Sequence, residues 1–344
     1  FPNAGVNDDL ISGFDRAKLA WYTIDPLFYR NTSVTPPGVN KTISLPNGNT
    51  IPQQSYHYSR EVLEKEVFPN KDPDLGSQIS NLALLDVAYY PNKRGPYNYN
   101  VLELNADGTL QNPDNKWAGL MRKVETNDFE AANIEFIEFW MMDPFNADDG
   151  DINHSGGDLY FHLGNVSEDI LKDGYKSFEN GLPTSSTVEN VDTTAWGRVP
   201  TNYSIVNAFD NDPNSRSFQD VGLDGLRTTD EKLFFDNYIQ QILNKFPLLG
   251  TASVAYQNAD KDPSGDNYHY YRGSDFDNNQ TKILDRYLNF NNMDGNSVTT
   301  DLSPESYPTS STTIPNTEDI NKDNTLSESE SYFQYKIPLS PQMK

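Results

Sequence analysis

The sequence contains no cysteine. Disulfide bridges, thiolate metal sites and cysteine nucleophiles are therefore excluded. Basic residues are also scarce: 26 Lys and Arg stand against 50 Asp and Glu, a net charge of −24. A surface of that sign repels phosphate backbones, which removes nucleic acid from the partners. The four histidines, His57, His154, His162 and His269, are scattered, and none sits in an HExxH zinc spacing. Neither a GxSxG elbow nor a phosphate-binding glycine loop occurs. No apolar run reaches the length of a membrane helix. The chain opens on Phe1 with no charged-then-apolar leader, and both ends read as cuts in a longer chain.

What the sequence has instead is aromatics, with 20 Tyr and 18 Phe in 344 residues. Aromatic side chains bury much area each, so a packed core is attainable although only 35% of residues are hydrophobic. The 22 Pro and 21 Gly fall in clusters between short apolar runs, the punctuation of a β-rich chain with long loops. Residues 159–163 alternate strictly, with Leu159, Phe161 and Leu163 on one face, and 332–337 place Phe333, Tyr335 and Ile337 on one face. Runs 82–90 and 134–142 are apolar on both parities and read as strands covered on both sides. The best helix runs from Thr228, with Glu231 set for a capping box, through Phe235, Ile239, Ile242 and Phe246 to Pro247. Shorter helices are expected over 59–68, 167–180 and 281–288. No internal repeat stands out.

These elements predict a mainly β, α+β fold: a β-sandwich of jelly-roll type with long loops and inserted helices. Residues 1–75 read as a loop-rich segment packing on the sandwich. Residues 76–344 read as the sandwich itself, with a helical insertion near 228–290.

The sharpest local pattern is DINKDNTLSESE, residues 319–330. A calcium loop of the EF-hand type needs oxygens at positions one, three, five and seven and a bidentate carboxylate at twelve. Asp319, Asn321, Asp323, Thr325 (through its carbonyl) and Glu330 fill them. Asn324 stands where Gly is usual, and Asn tolerates the left-handed conformation well. An acidic, solvated Asx turn gives the same pattern without an ion. Weaker sets surround Asp149, Asp151 and Asn153; Asp210, Asp212 and Asn214; and Asp260, Asp262 and Asp266. Glu135 and Glu138 could suggest a glycosidase pair, but they fall on opposite parities of one run and cannot flank one bond. Trp21, Trp117, Trp140 and Trp196 could form a sugar platform, although such aromatics usually serve the core.

Longer segments carry a resemblance. They are GFDRAKLAWYTIDPLFYR (13–30), LLDVAYYPNKRGPYNYN (84–100) and WAGLMRKVETNDFEAANIEFIEFWMMDPF (117–145). GGDLYFHLGNVSEDILKDGYKSFENGLP (156–183), FDNDPNSRSFQDVGLDGL (209–226) and EDINKDNTLSESESYFQYKI (318–337) follow. In this order they resemble the SprA family of Bacteroidota, called Sov in oral species. The resemblance implies a piece of a very large outer-membrane β-barrel, the translocon of type IX protein secretion, which also supports gliding motility. It implies as partners the rest of the translocon barrel, a lateral partner of the PorV type, a periplasmic plug protein and secreted cargo proteins. It carries no catalytic residues, and the calcium positions rest on the loop pattern alone. The expectation is a non-catalytic soluble cap or insertion, on the cell surface or the periplasmic face. The alternatives are a calcium-stabilised glycan-binding module and a secreted polysaccharide hydrolase.

Overall fold

The computed structural model describes residues 10–71, 81–126, 128–146, 156–176, 187, 190–201, 218, 222–291 and 317–341. The chain is α+β. Its described strands are β1 (Ala17–Tyr22), β2 (Thr42–Ser44), β3 (Thr50–Pro52), β4 (Asp86–Arg94), β5 (Gly157–Asn165), β6 (Val191–Thr193), β7 (Arg198–Pro200) and β8 (Ser331–Leu339). They pair two by two, all antiparallel, as β1 with β4, β2 with β3, β5 with β8 and β6 with β7. No jelly-roll layer forms among the described residues. The helices are α1 (Glu64–Val67), α2 (Thr228–Phe234), α3 (Asp236–Lys245), α4 (Val254–Lys261), α5 (Ser274–Asn278) and α6 (Ile283–Tyr287).

Two aromatic cores carry the packing. The first gathers Tyr97, Tyr99, Leu171, Trp196 and Leu226 around one face of α2 and α3, through Phe235, Tyr238, Ile239 and Ile242. Tyr99 stacks on Phe235 at 4.6 Å and meets the edge of Tyr238 at 5.3 Å. Such pairs add about 0.5–1.5 kcal/mol each beyond the area they bury. Trp196, offered above as a sugar platform, is wholly inside this core. The helix expected from Thr228 forms as two segments that meet at Phe235. At the far end Lys245 donates to the carbonyls of Val101, Leu102 and Leu104 at 2.7–2.8 Å, satisfying acceptors of a loop that makes few ladder bonds.

The second core joins the N-terminal region to α6. Tyr287 stacks between Tyr22 of β1, at 4.3 Å, and Tyr271, at 4.9 Å, and Phe28 packs edge-on against Tyr271 and Tyr287. Two buried polar side chains fasten this seam. Gln53 Nε2 donates to the carbonyls of Gly38 and Lys41, while its Oε1 accepts the amide of Ile283 at the start of α6. Arg286, with no exposed surface, reaches Asp277 and the carbonyls of Pro37 and Thr281.

Several expectations change. Residues 134–142 form no strand. Phe136, Ile137, Phe139 and Trp140 are exposed, with Phe139 leaning on Phe161 and Trp140 on Phe68. Among the described residues no neighbouring backbone offers this run a ladder, so its strand propensity goes unused. The strand expected over 82–90 lies later, as β4, and is open on one face, where Val87 and Tyr89 are exposed. Only Glu64–Val67 of 59–68 is helical. Residues 167–176 turn instead of winding, because the side chain of Asp169 captures backbone amides that a helix would use.

Candidate functional site

β5 and β8 form a nine-pair ribbon. Leu159 faces Ile337, Phe161 faces Tyr335 and Leu163 faces Phe333, so the alternation read in both segments makes one apolar face. That face is only partly covered: Phe333 is 73% exposed and Tyr335 55%. Both outer edges of the ribbon lack a strand neighbour among the described residues. A two-stranded ribbon is marginal by itself in water.

The base of the ribbon is a clasp of two loops. The segment Glu168-Asp169-Ile170-Leu171-Lys172-Asp173-Gly174 parallels Glu318-Asp319-Ile320-Asn321-Lys322-Asp323-Asn324. Their conformations match. Asp169 accepts the amides of Asp173 and Gly174, and Asp319 accepts those of Asp323 and Asn324. Lys172 and Gly174 have φ of 61° and 75°; Lys322 and Asn324 have 60° and 67°. Each glutamate then grips the other loop. Glu318 Oε1 accepts Ile170 N and Leu171 N at 3.0 Å. Glu168 accepts Ser327 N at 3.0 Å and Asn321 N at 3.4 Å. Glu318 is buried, and that burial, followed by the charges of Asp173 and Asp169, holds its carboxyl well above the usual range. Arg16 donates to Ile170 O and ties the clasp to the first core.

The expected calcium residues lie in and after this clasp. Asn321 Oδ1 accepts Asp323 N, and Asp323 Oδ1 accepts both the amide and hydroxyl of Thr325. Thr325, through those two bonds, lowers the Asp323 carboxyl below its ordinary range. Glu330 is exposed at the start of β8. Among the described residues two sets of acids converge within 4.8 Å: Asp169, Asp173 and Glu318; and Asp224, Glu231 and Asp266. Asp319, Asp323 and Glu330 are not one of them. The sets around Asp149 and Asp210 lie outside the described residues.

Of the third weak set, Asp262 closes its own turn by accepting Gly265 N and Asp266 N. Asp266 points away to Leu223 N and Asp224 N. Burial, and next the charge of Asp262, raises the Asp266 carboxyl above its ordinary value. Burial and then Asp266 do the same to Glu231. Sequence reasoning missed the repeated Glu-Asp-Ile-x-Lys-Asp and the role of Glu231, which it had placed as a helix cap. The repeat itself was the available signal for the first.

Residues 237–344 match the family model SprA_N, described as motility related/secretion protein. The match runs from α3 to the end of the chain and includes one half of the clasp and β8. It covers 108 of the 344 residues and is a likeness to a motility- and secretion-related family. No curated protein matches the chain. No helix among the described residues is long and apolar enough to cross a membrane.

Proposed function

We propose that this chain is a non-catalytic, extracytoplasmic part of the outer-membrane channel of type IX secretion, where it gates the channel or contacts its partners. The match of residues 237–344 to a motility and secretion family carries the reading. The ribbon of β5 and β8 supports a docking role, because it offers an apolar face and two edges without a strand neighbour among the described residues. Strand addition to such an edge gives main-chain hydrogen bonds, with alternate side chains setting specificity. The proposed occupant is the rest of the translocon barrel. The PorV-type partner, the plug and the cargo lie further along the same route. The net charge of −24 suits a surface past which proteins move, since it keeps the surface hydrated and repels acidic cargo.

The test replaces Phe333 and Tyr335 with Ser in the full translocon. Both side chains are largely exposed, so the fold should survive. Secreted cargo should fall and co-purification of the PorV-type partner should weaken, while the barrel stays in the outer membrane. Unchanged secretion and unchanged co-purification would remove the ribbon from the mechanism.

Calcium at Asp319, Asn321, Asp323, Thr325 and Glu330 is part of the same proposal, supported by their position within one loop that ends at β8. Glu330→Gln should then reduce the gain in Tm between chelator and ~1 mM calcium. A gain equal to that of the unaltered chain would exclude this loop.

A further inference from the structure

The segment Gly222-Leu223-Asp224-Gly225-Leu226-Arg227-Thr228-Thr229-Asp230-Glu231 has the spacing of the last ten positions of an EF-hand-type loop. Asp224 falls at position five. Gly225, at six, has φ of 68°, the left-handed conformation that the sharp turn there requires. Glu231, at twelve, lies in the first turn of α2. Position three is Gly222, which has no ligand to offer. A Cβ on Gly222 would stand 2.3–2.5 Å from the carboxylate of Asp266, so the Asp266 side chain occupies the space of the missing one.

We infer that Asp224, Glu231 and Asp266 form a buried site for a divalent cation of the calcium class, with Asp266 supplying from a distant loop the carboxylate that position three lacks. One oxygen from each of the three lies within 4.8 Å of the others. Oxygens on opposite sides of a calcium ion lie about 5 Å apart, given bonds of about 2.3–2.6 Å. Hydrogen bonds aim each carboxylate, and Ser264 Oγ also donates to Asp266 Oδ1 at 2.7 Å. Leu226 N donates to Asp224 Oδ1, Leu223 N and Asp224 N donate to Asp266 Oδ2, and Ser264 donates to Glu231 Oε1 through its amide and hydroxyl.

The independent sign of a ligand is Glu231 Oε2. Glu231 has 0% exposure, and this oxygen has no hydrogen-bond partner. The Tyr99 hydroxyl, also buried and without a partner, lies within electrostatic reach of Asp224 and Asp266. Asp224 and Asp266 are likewise 0% exposed. Arg94 directs its donors to the carbonyls of Asn98, Asp262 and Pro263 rather than to these acids. Three carboxylates this close and this dry must be neutralised by shared protons or by a cation, and the unpartnered Glu231 Oε2 points to the cation. An oxygen-only site on fully buried carboxylates favours calcium over magnesium, which keeps several of its waters.

The site stands apart from loop 319–330, and the experiment separates the two. The Glu330→Gln chain is stripped with chelator and melted with and without ~1 mM calcium. A rise in Tm of about 5 °C is expected, because an ion that binds only the folded state stabilises it. Glu231→Gln, which keeps the shape of the side chain and an acceptor for Ser264, should erase most of that rise. Asp266→Asn should do the same and serves where Glu231→Gln fails to fold. Terbium should show Tyr- and Trp-sensitised luminescence that calcium displaces more readily than magnesium. An identical Tm in chelator and calcium for Glu330→Gln, meaning a cluster held together by shared protons, overturns the proposal. So does a rise that survives in Glu231→Gln or Asp266→Asn.

Discussion

Arg286 shows how much a single side chain holds here. Its guanidinium joins α6 to Asp277 and to the carbonyl of Pro37, almost 250 positions away in sequence, and lies over the rings of Phe28 and Phe276. Arg286→Met would take this ion pair from Asp277 and these hydrogen bonds from the carbonyls of Pro37 and Thr281. A loss of about 3–5 kcal/mol is expected in chemical denaturation. Asp86 makes a different case. It starts β4 opposite Tyr22, with one oxygen lacking a partner, and burial pushes its carboxyl up to about 6. Between the ordinary carboxylate value and about 6 the folded chain holds a proton that the unfolded chain has released. Stability is therefore favoured at low pH and falls as pH rises through that window. Asp86→Asn should flatten this fall and raise stability at neutral pH by on the order of 1 kcal/mol, the value being reduced by the partial exposure of the site. Denaturation midpoints at pH 4, 5, 6 and 7 (roughly spanning the titration) decide it, and parallel curves for the two chains would clear Asp86 of the effect.

At the scale of elements, periodicity was a good guide where a segment has one wet and one dry side. β5, β8 and the α2–α3 pair all lie where alternation or helical spacing put them, because each pattern is satisfied by a nearby partner. Residues 134–142 were misread for the complementary reason. A run of Ile, Phe and Trp announces strand propensity, but a strand also needs a second backbone, and sequence does not name one. The clasp was half legible. The acidic pattern of Asp319, Asn321 and Asp323, read as a calcium loop, does fall on a turn, whereas the reciprocal grip of Glu168 and Glu318 depends on two loops meeting in space. Asp266 filling the place beside Gly222 is invisible to any local pattern. The ribbon prediction belongs here too: since Phe333 and Tyr335 have so little cover, their replacement by Ser should move stability by no more than about 0.5 kcal/mol. An effect on secretion would then report contact rather than unfolding.

For the whole molecule, composition foretold the character of the interior. With few aliphatics, both cores are built on rings, and α+β content follows from strands in pairs beside short helices. The jelly roll was an extrapolation from strand count, and the described strands stop at pairs because long polar connections separate them. The clasp has a further consequence, and it concerns time. Its hydrogen bonds join residues 147–159 positions apart. Closing so long a loop is slow, since its entropy is lost before any contact is gained. A chain emerging from its N-terminus first must therefore carry Leu159, Phe161 and Leu163 unpaired until β8 has emerged. During that interval the bare strand is open to any other edge, and a chaperone shielding it would raise the yield of the finished ribbon.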